Sequence, residues 1–157
     1  VRGAQLLIRR YLVGLGVAAV VVALDLWTKR LAVTNLADAD VVLIPGFFEL
    51  TYVENPGGAF GFFRDGGTII GIAAFTIAIV VLVAMAKPRA IPETVVLGLV
   101  LGGAVGNLVD RFARGPGIID GAVIDWVNLS IIPTFNLADA SITVAVGLLL
   151  IQAWRTR

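Results

Sequence analysis

The sequence predicts a membrane-embedded, all-α four-helix bundle that carries two short strands on its outer side. Three observations lead there. Of 157 residues, 59% are hydrophobic and only 15% are charged, whereas a soluble domain is roughly half apolar and about a quarter charged. The mean hydropathy is +0.97. Four apolar segments are long enough to cross a bilayer, which takes about 20 residues with around 17 as the lower limit. The chain is too short for a soluble core plus separate anchors, so residues 1–157 read as one integral membrane domain.

The first span runs from about Tyr11 to Trp27. Basic residues precede it, as in a signal peptide. It ends in Asp25-Leu26-Trp27-Thr28-Lys29 rather than a small-residue cleavage site, and it reads as a retained helix. Asp40 to Glu54 is rich in β-branched and aromatic residues and broken by Pro45-Gly46. This predicts two short strands around a turn on the membrane surface, within an outer β region of about 40–62. The second span covers about 68–86, and the short basic turn Lys87-Pro88-Arg89 leads to the third. That third span begins at Thr94 and reaches the required length only if it continues to Arg111. An outer loop, 112–134, opens with Arg114-Gly115-Pro116-Gly117 and continues as a short apolar interfacial segment, Ala122–Ile132. Trp126 suits the interface. The fourth span covers about 135–153.

Charge orients the bundle. The N-terminus, the 87–94 turn and the C-terminus together carry seven basic residues against one acid, Glu93. The other side carries five basic residues (Lys29, Arg30, Arg64, Arg111, Arg114) against ten acids. The excess of Lys and Arg predicts both termini on the cytoplasmic side, with every motif discussed below facing outward.

Absent residue types narrow the chemistry. The chain has no cysteine, so disulfides and thiolate catalysis are excluded. It has no histidine, which removes the usual general base and metal ligand. No basic patch suits nucleic acid, and no cofactor is indicated.

The acids are then the informative residues. Asp125 and Asp139 lie fourteen residues apart in Val123-Ile124-Asp125-Trp126 and Phe135-Asn136-Leu137-Ala138-Asp139. A carboxylate at or inside a membrane is costly and needs a partner or a function. Asp25 and Lys29 can pair along the first helix, which is read as structural. Asn107, Asp110 and Arg111 close the third helix; Asn136 and Asp139 open the fourth at three-residue spacing, on one face. Gly102, Gly103 and Gly106 give the third helix a smooth side for close approach. A polar cluster thus forms at the outer ends of several helices. Two close carboxyl groups cannot both ionise cheaply, so one holds a proton. The ionised member can draw a proton from water while the other donates one to a scissile amide. Amides such as Asn55, Asn107 and Asn136 can hold a substrate backbone or a developing oxyanion. The parts fit an aspartyl hydrolase at the membrane surface. A proton-relay transporter is the rival from another class, disfavoured because the acids gather at one surface without an inverted repeat. A non-enzymatic assembly factor would leave the Asn–Asp clusters unexplained.

At this point the motifs resemble a known family, the lipoprotein (type II) signal peptidases of bacteria. Asp25-Leu-Trp-Thr-Lys29, Asn55-Pro-Gly57-Gly58-Ala59-Phe60-Gly61, Gly106-Asn107-Leu108-Val109-Asp110-Arg111, Val123-Ile-Asp125-Trp126 and Phe135-Asn136-Leu-Ala138-Asp139 match that family's blocks in order. The resemblance implies a bundle with a small extracytoplasmic β-sheet, a cradle for the substrate, in the inner membrane. It implies removal of the signal peptide from diacylglyceryl-modified prolipoproteins, on the amino side of the lipidated cysteine, without metal or covalent intermediate, and inhibition by globomycin. Asp125 and Asp139 would be catalytic. Asn55, Gly57, Gly58, Asn107, Arg111 and Asn136 would hold the substrate and stabilise the pair, with Asp25, Lys29, Asp110 and Ala138 as supports. Nothing requires more than a monomer, and membrane lipid is the surrounding partner.

Two departures matter. Trp126 stands where the family commonly has Phe, an exchange of one interfacial aromatic for another. Residues 115–120 look inserted, and Ile118-Ile119-Asp120 is a second apolar-apolar-Asp run. Asp125 is favoured because an aromatic follows it and the run Trp126-Val-Asn-Leu leads toward the fourth helix, whereas Asp120 precedes Gly121 in a loop.

Overall fold

The computed structural model describes residues 2–57, 66–87 and 89–155, the side chains of residues 2, 4 and 7 excepted. The elements are α1 (Arg2–Asn35), β1 (Val41–Ile44), β2 (Phe48–Asn55), α2 (Gly67–Met85), α3 (Ile91–Ala113), β3 (Val123–Leu129) and α4 (Leu137–Arg155). All four helices are long and apolar enough to span a membrane. The architecture is a four-helix membrane bundle with a small antiparallel sheet, in the order β1-β2-β3, at one end.

The central helix is α3, which touches α1, α2 and α4. Just over half of its span (56%) is buried, against about a fifth of each of the others. Its glycines explain the position. A Cβ on Gly102 would lie 2.6 Å from Val21 Cβ and 2.9 Å from the Ala18 carbonyl oxygen; one on Gly98 would lie 2.6 Å from the Gly14 carbonyl oxygen. The α1 and α3 backbones therefore meet without side chains between them, as small residues allow in lipid. On the α4 side, a Cβ on Gly103 would lie 2.5 Å from the Ala138 carbonyl oxygen. A compact core of Ala18, Ala78, Val81, Met85, Leu101, Ala104 and Leu108 fills the remaining space. The outward faces of α1, α2 and α4 carry exposed Leu12, Val20, Ile72, Val80, Val144 and Leu150, a surface suited to acyl chains rather than water.

The first helix differs from its predicted span. It continues past Trp27 to Asn35, because polarity ends a hydropathy signal without ending a helix. Thr28, Thr34 and Asn35 turn their side chains back onto carbonyls four residues earlier, and Ala32 and Leu36 stay apolar four apart. At 1.5 Å per residue, 34 residues extend about 51 Å, well beyond a hydrocarbon core of roughly 30 Å. The extra turns carry the sheet: Ala32 and Leu36 pack with fully buried Ile124 of β3, flanked by Leu50, Tyr52 and Trp126.

Residues 41–44 and 48–55 form the expected strand pair, with Gly46 at φ 73° in the turn, a backbone region that glycine enters freely. The stretch read as an interfacial apolar segment supplies a third strand. Val123–Leu129 pairs along β2, from Phe48↔Leu129 to Asn55↔Val123. Its two faces serve different neighbours, the α1 extension and the cavity described next. Alternation marks half-buried strands; β3 is buried on both faces at its start, so its sequence shows a short apolar run instead.

Close backbone approach of α1 and α3 predicts that Gly102→Ala lowers stability by about 1–3 kcal/mol through overpacking. Thermal unfolding in detergent should show a lower Tm. An unchanged Tm would mean that the two helices can separate freely.

Candidate active site

Two carboxylates from different elements, Asp125 on β3 and Asp139 on α4, line one cavity of about 640 Å³. The cavity lies between α2, α3, α4 and the sheet. Ile70, Ala74 and Ile77 of α2, Val100 and Ala104 of α3 and Ile142 of α4 form apolar walls, and the polar groups gather at one end.

Asp125 is buried, and both of its oxygens accept amide hydrogen bonds. Asn55 Nδ2 donates to Oδ2 at 2.9 Å and Asn136 Nδ2 to Oδ1 at 2.7 Å. The sheet register explains the first contact. Asn55 pairs with Val123, which makes Asp125, two residues along, its diagonal neighbour on the same face. Burial pushes the Asp125 carboxyl up from the ordinary 3.8 to about 6. The Asn55 bond opposes that rise, the charge of Asp139 adds to it, and the Asn136 bond opposes it again.

Asp139 belongs to the first turn of α4, and Asn136 caps that helix. The Asp139 N–H donates to Asn136 Oδ1 at 2.9 Å, and the Asn136 N–H reaches back toward Asp139 Oδ2 at 3.5 Å. This is the reciprocal logic of a capping box, with Asn and Asp in place of the commoner Ser and Glu. One residue is thereby bonded to both carboxylates. Asn107 Nδ2 donates to Asp139 Oδ1 at 2.7 Å from α3.

Arg111 and Gly57 place the Asn55 side. The buried Arg111 guanidinium donates through Nη1 to the Pro56 carbonyl at 2.9 Å and the Gly121 carbonyl at 2.8 Å, tying the end of β2 to the approach to β3. The Gly57 N–H donates to Asn55 Oδ1 at 3.2 Å, which turns Asn55 Nδ2 toward Asp125. Gly58 lies outside the described residues.

Asp25, Lys29, Asp110 and Ala138 form the layer beneath. Lys29 Nζ is 2.7 Å from both Asp25 Oδ2 and Asp110 Oδ2, with all three side chains buried. Asp25 Oδ1 accepts from the Ala138 N–H of α4 at 2.9 Å. Asp110 also accepts from the Ile124 N–H at 3.3 Å and from Arg114 Nε at 2.8 Å. Three helices and β3 therefore converge on one buried ion cluster.

The structure separates the two apolar-apolar-Asp runs. Asp120 Oδ1 accepts from the Gly117 N–H at 2.9 Å within its own loop, while Asp125 lines the cavity. Asn55, Gly57, Asn107, Arg111, Asn136 and Asp139 lie at the cavity end, and Asp25, Lys29, Asp110 and Ala138 lie in or against the ion cluster under it. Sequence reading missed the capping role of Asn136, although Asn-x-x-Asp before an apolar run is a usable signal. It also missed the main-chain carbonyls clamped by Arg111, which leave no mark in residue identity. Among the described residues, no cluster of three His, Cys, Asp or Glu side chains is arranged to hold a metal ion.

A family model described as signal peptidase (SPase) II matches residues 17–155. A lipoprotein signal peptidase of Symbiobacterium thermophilum is 41% identical over 138 residues, covering 86% of this chain and 90% of that protein. Another, from Streptomyces griseus, is 38% identical over 144 residues, covering 91% of this chain and 73% of its own length. Among solved structures, one of a bacterial membrane enzyme superposes with a TM-score of 0.77 at 29% identity, covering 90% of this chain and 87% of the other. With the fold, the order of its motifs and these relatives in agreement, the chain belongs to the signal peptidase II family.

Proposed function

We propose that this membrane protein is an aspartic endopeptidase that removes the signal peptide from diacylglyceryl-modified prolipoproteins, cutting on the amino side of the lipidated cysteine. The observation that carries the reading is the pairing of Asp125 and Asp139 at the polar end of an apolar cavity, with Asn136 bonded to both. Two carboxyls so placed share a proton, since ionising both at once in a desolvated site is costly. The ionised member takes a proton from water as the water oxygen attacks the scissile carbonyl carbon. The protonated member gives its proton to the departing amine nitrogen as the C–N bond breaks, and no covalent enzyme intermediate forms.

The surrounding residues divide the remaining work. Asn55, Asn107 and Asn136 keep amide N–H groups on the two carboxylates, and Arg111 with Gly57 holds the end of β2 across which the substrate backbone runs. The apolar walls between α2 and α4 suit the hydrophobic signal segment and the acyl chains on the cysteine. A cavity with such apolar walls suits a substrate that never leaves the membrane. The whole chain, 1–157, works as one integral peptidase domain of the bacterial inner membrane, as a monomer. Its termini are cytoplasmic and the sheet lies on the extracytoplasmic face, in keeping with the basic residues near both termini and at 87–89.

Purified protein incubated with a lipidated prolipoprotein should release the signal peptide, and globomycin should block that release. No release, or release insensitive to globomycin, would overturn the reading.

The pH profile offers a finer test. Burial holds the Asp125 proton up to about pH 6, and its loss above that value should make kcat/KM decline. Asn55 donates to the Asp125 carboxylate and favours its ionised form. In Asn55→Ala that support is gone, the carboxyl holds its proton longer, and the alkaline limb should move to higher pH with a lower plateau. A limb that stays in place or moves to lower pH would contradict the coupling.

A further inference from the structure

Among the described residues, Lys29 is the one buried cation whose donors reach both the ion cluster and the amide groups of the site. Its ammonium has three N–H donors and no acceptor. It forms ion pairs with Asp25 Oδ2 and Asp110 Oδ2, each at 2.7 Å, and donates hydrogen bonds to Asn107 Oδ1 at 3.1 Å and to the Gly106 carbonyl at 3.5 Å. The ends of a carboxamide are distinguished only by the partners they meet. At Asn107 those partners are unambiguous. The end facing Lys29 also faces Asn136 Nδ2 at 3.1 Å, and the opposite end faces Asp139 Oδ1 at 2.7 Å. Reversing the amide would set a donor against two donors and an oxygen against a carboxylate oxygen.

Asn136 cannot enforce this by itself. Its Nδ2 has two hydrogens and three acceptors within reach: Asp125 Oδ1 at 2.7 Å, Asn107 Oδ1 at 3.1 Å and the Ile124 carbonyl at 3.2 Å. The Lys29 ammonium is the donor that can be committed to Asn107 without being withdrawn from Asp125. We propose that Lys29 is a positioning residue for the peptidase reaction: its ammonium holds the Asn107 carboxamide in the single orientation that aims an N–H at Asp139. The proposal rests on the aspartic-peptidase reading of the site. It gives Lys29 a task beyond its ion pairs with Asp25 and Asp110, since the bond to Asn107 involves neither carboxylate.

The test is a double-mutant cycle in the full-length protein in detergent or vesicles, read by signal-peptide release from a lipidated prolipoprotein. Asp25→Asn/Lys29→Met/Asp110→Asn removes the three buried charges together, and Arg114, which loses Asp110 as partner, is 37% exposed and stays solvated. It should reduce kcat by about 100-fold, as a misplaced catalytic group does, with KM within about twofold because the apolar walls are untouched. In an Asn107→Ala background the same triple change should cause little further loss, because the group through which Lys29 acts is gone. Lys29→Arg passes through the same cycle and carries the test if the triple variant does not fold: its altered donor geometry should lower kcat only when Asn107 is present. Unaltered kcat, or a loss of equal size in both backgrounds, would overturn the proposal. A readout independent of turnover is the side-chain amide resonance of Asn107 in protein labelled with ¹⁵N-asparagine. It should move or double when Lys29 is replaced, and an unmoved resonance would also overturn the proposal. Wild-type protein that releases no signal peptide would instead refute the peptidase reading, leaving the amide measurement to decide the orientation separately.

Discussion

The ammonium of Lys29, inserted between Asp25 and Asp110 at 2.7 Å from each, ties together the elements on which the site is built. Through Asp25 it reaches the main chain of Ala138 at the start of α4, and through Asp110 it reaches the main chain of Ile124 in β3. Buried charges are tolerated when every partner is present, and removing one leaves an uncompensated ion that costs roughly 3–5 kcal/mol. Such a cluster adds little net stability over a well-packed apolar core, but it accepts only one arrangement of its parts. The glycines of α3 serve the same end. A Cβ on Gly106 would lie 2.7 Å from Asp25 Oδ2, so the absence of side chains lets the cluster close.

Above this layer, the two aspartates get their properties from where the elements end. Asp125 arrives on a strand whose other face is sealed by the α1 extension, so its carboxyl is desolvated and its proton is held to higher pH. Asp139 arrives in the first turn of a helix capped by the residue that also binds Asp125. Two carboxyls in different local settings, linked by a shared amide residue, are what a division into acid and base requires. The apolar walls below them suit a substrate already anchored in lipid.

Much of this was legible in the sequence, and the rest was not for definite physical reasons. The four helices were visible because each needs a long apolar run, and the polar residues at one end of the bundle because charge is costly in a membrane. The end of α1 was not visible: Thr28–Asn35 is polar enough to leave the membrane yet still helical, and only packing against Ile124 shows why it continues. The third strand was hidden because burial on both faces of Val123–Asp125 removes the alternation that marks a strand. The Asn136 cap was readable in principle from its spacing to Asp139. The Arg111 clamp was not, since its acceptors, the carbonyls of Pro56 and Gly121, exist in every residue. Asp120 and Asp125 share a local apolar-apolar-Asp pattern; the aromatic after Asp125 favours it in sequence, and the cavity and the loop bond to Gly117 set the two apart in the structure.

The most direct test of the central claim compares single Asp→Asn replacements at positions 120, 125 and 139 by signal-peptide release from a lipidated prolipoprotein, with folding checked by thermal unfolding. Asp125→Asn and Asp139→Asn should each lower kcat by about 100- to 10,000-fold, the range expected on losing a general acid or base. Asp120→Asn should cleave within about threefold of wild type, as an exchange in a loop that does not line the cavity should. Retained activity in Asp125→Asn, or loss in Asp120→Asn without loss of folding, would contradict the account.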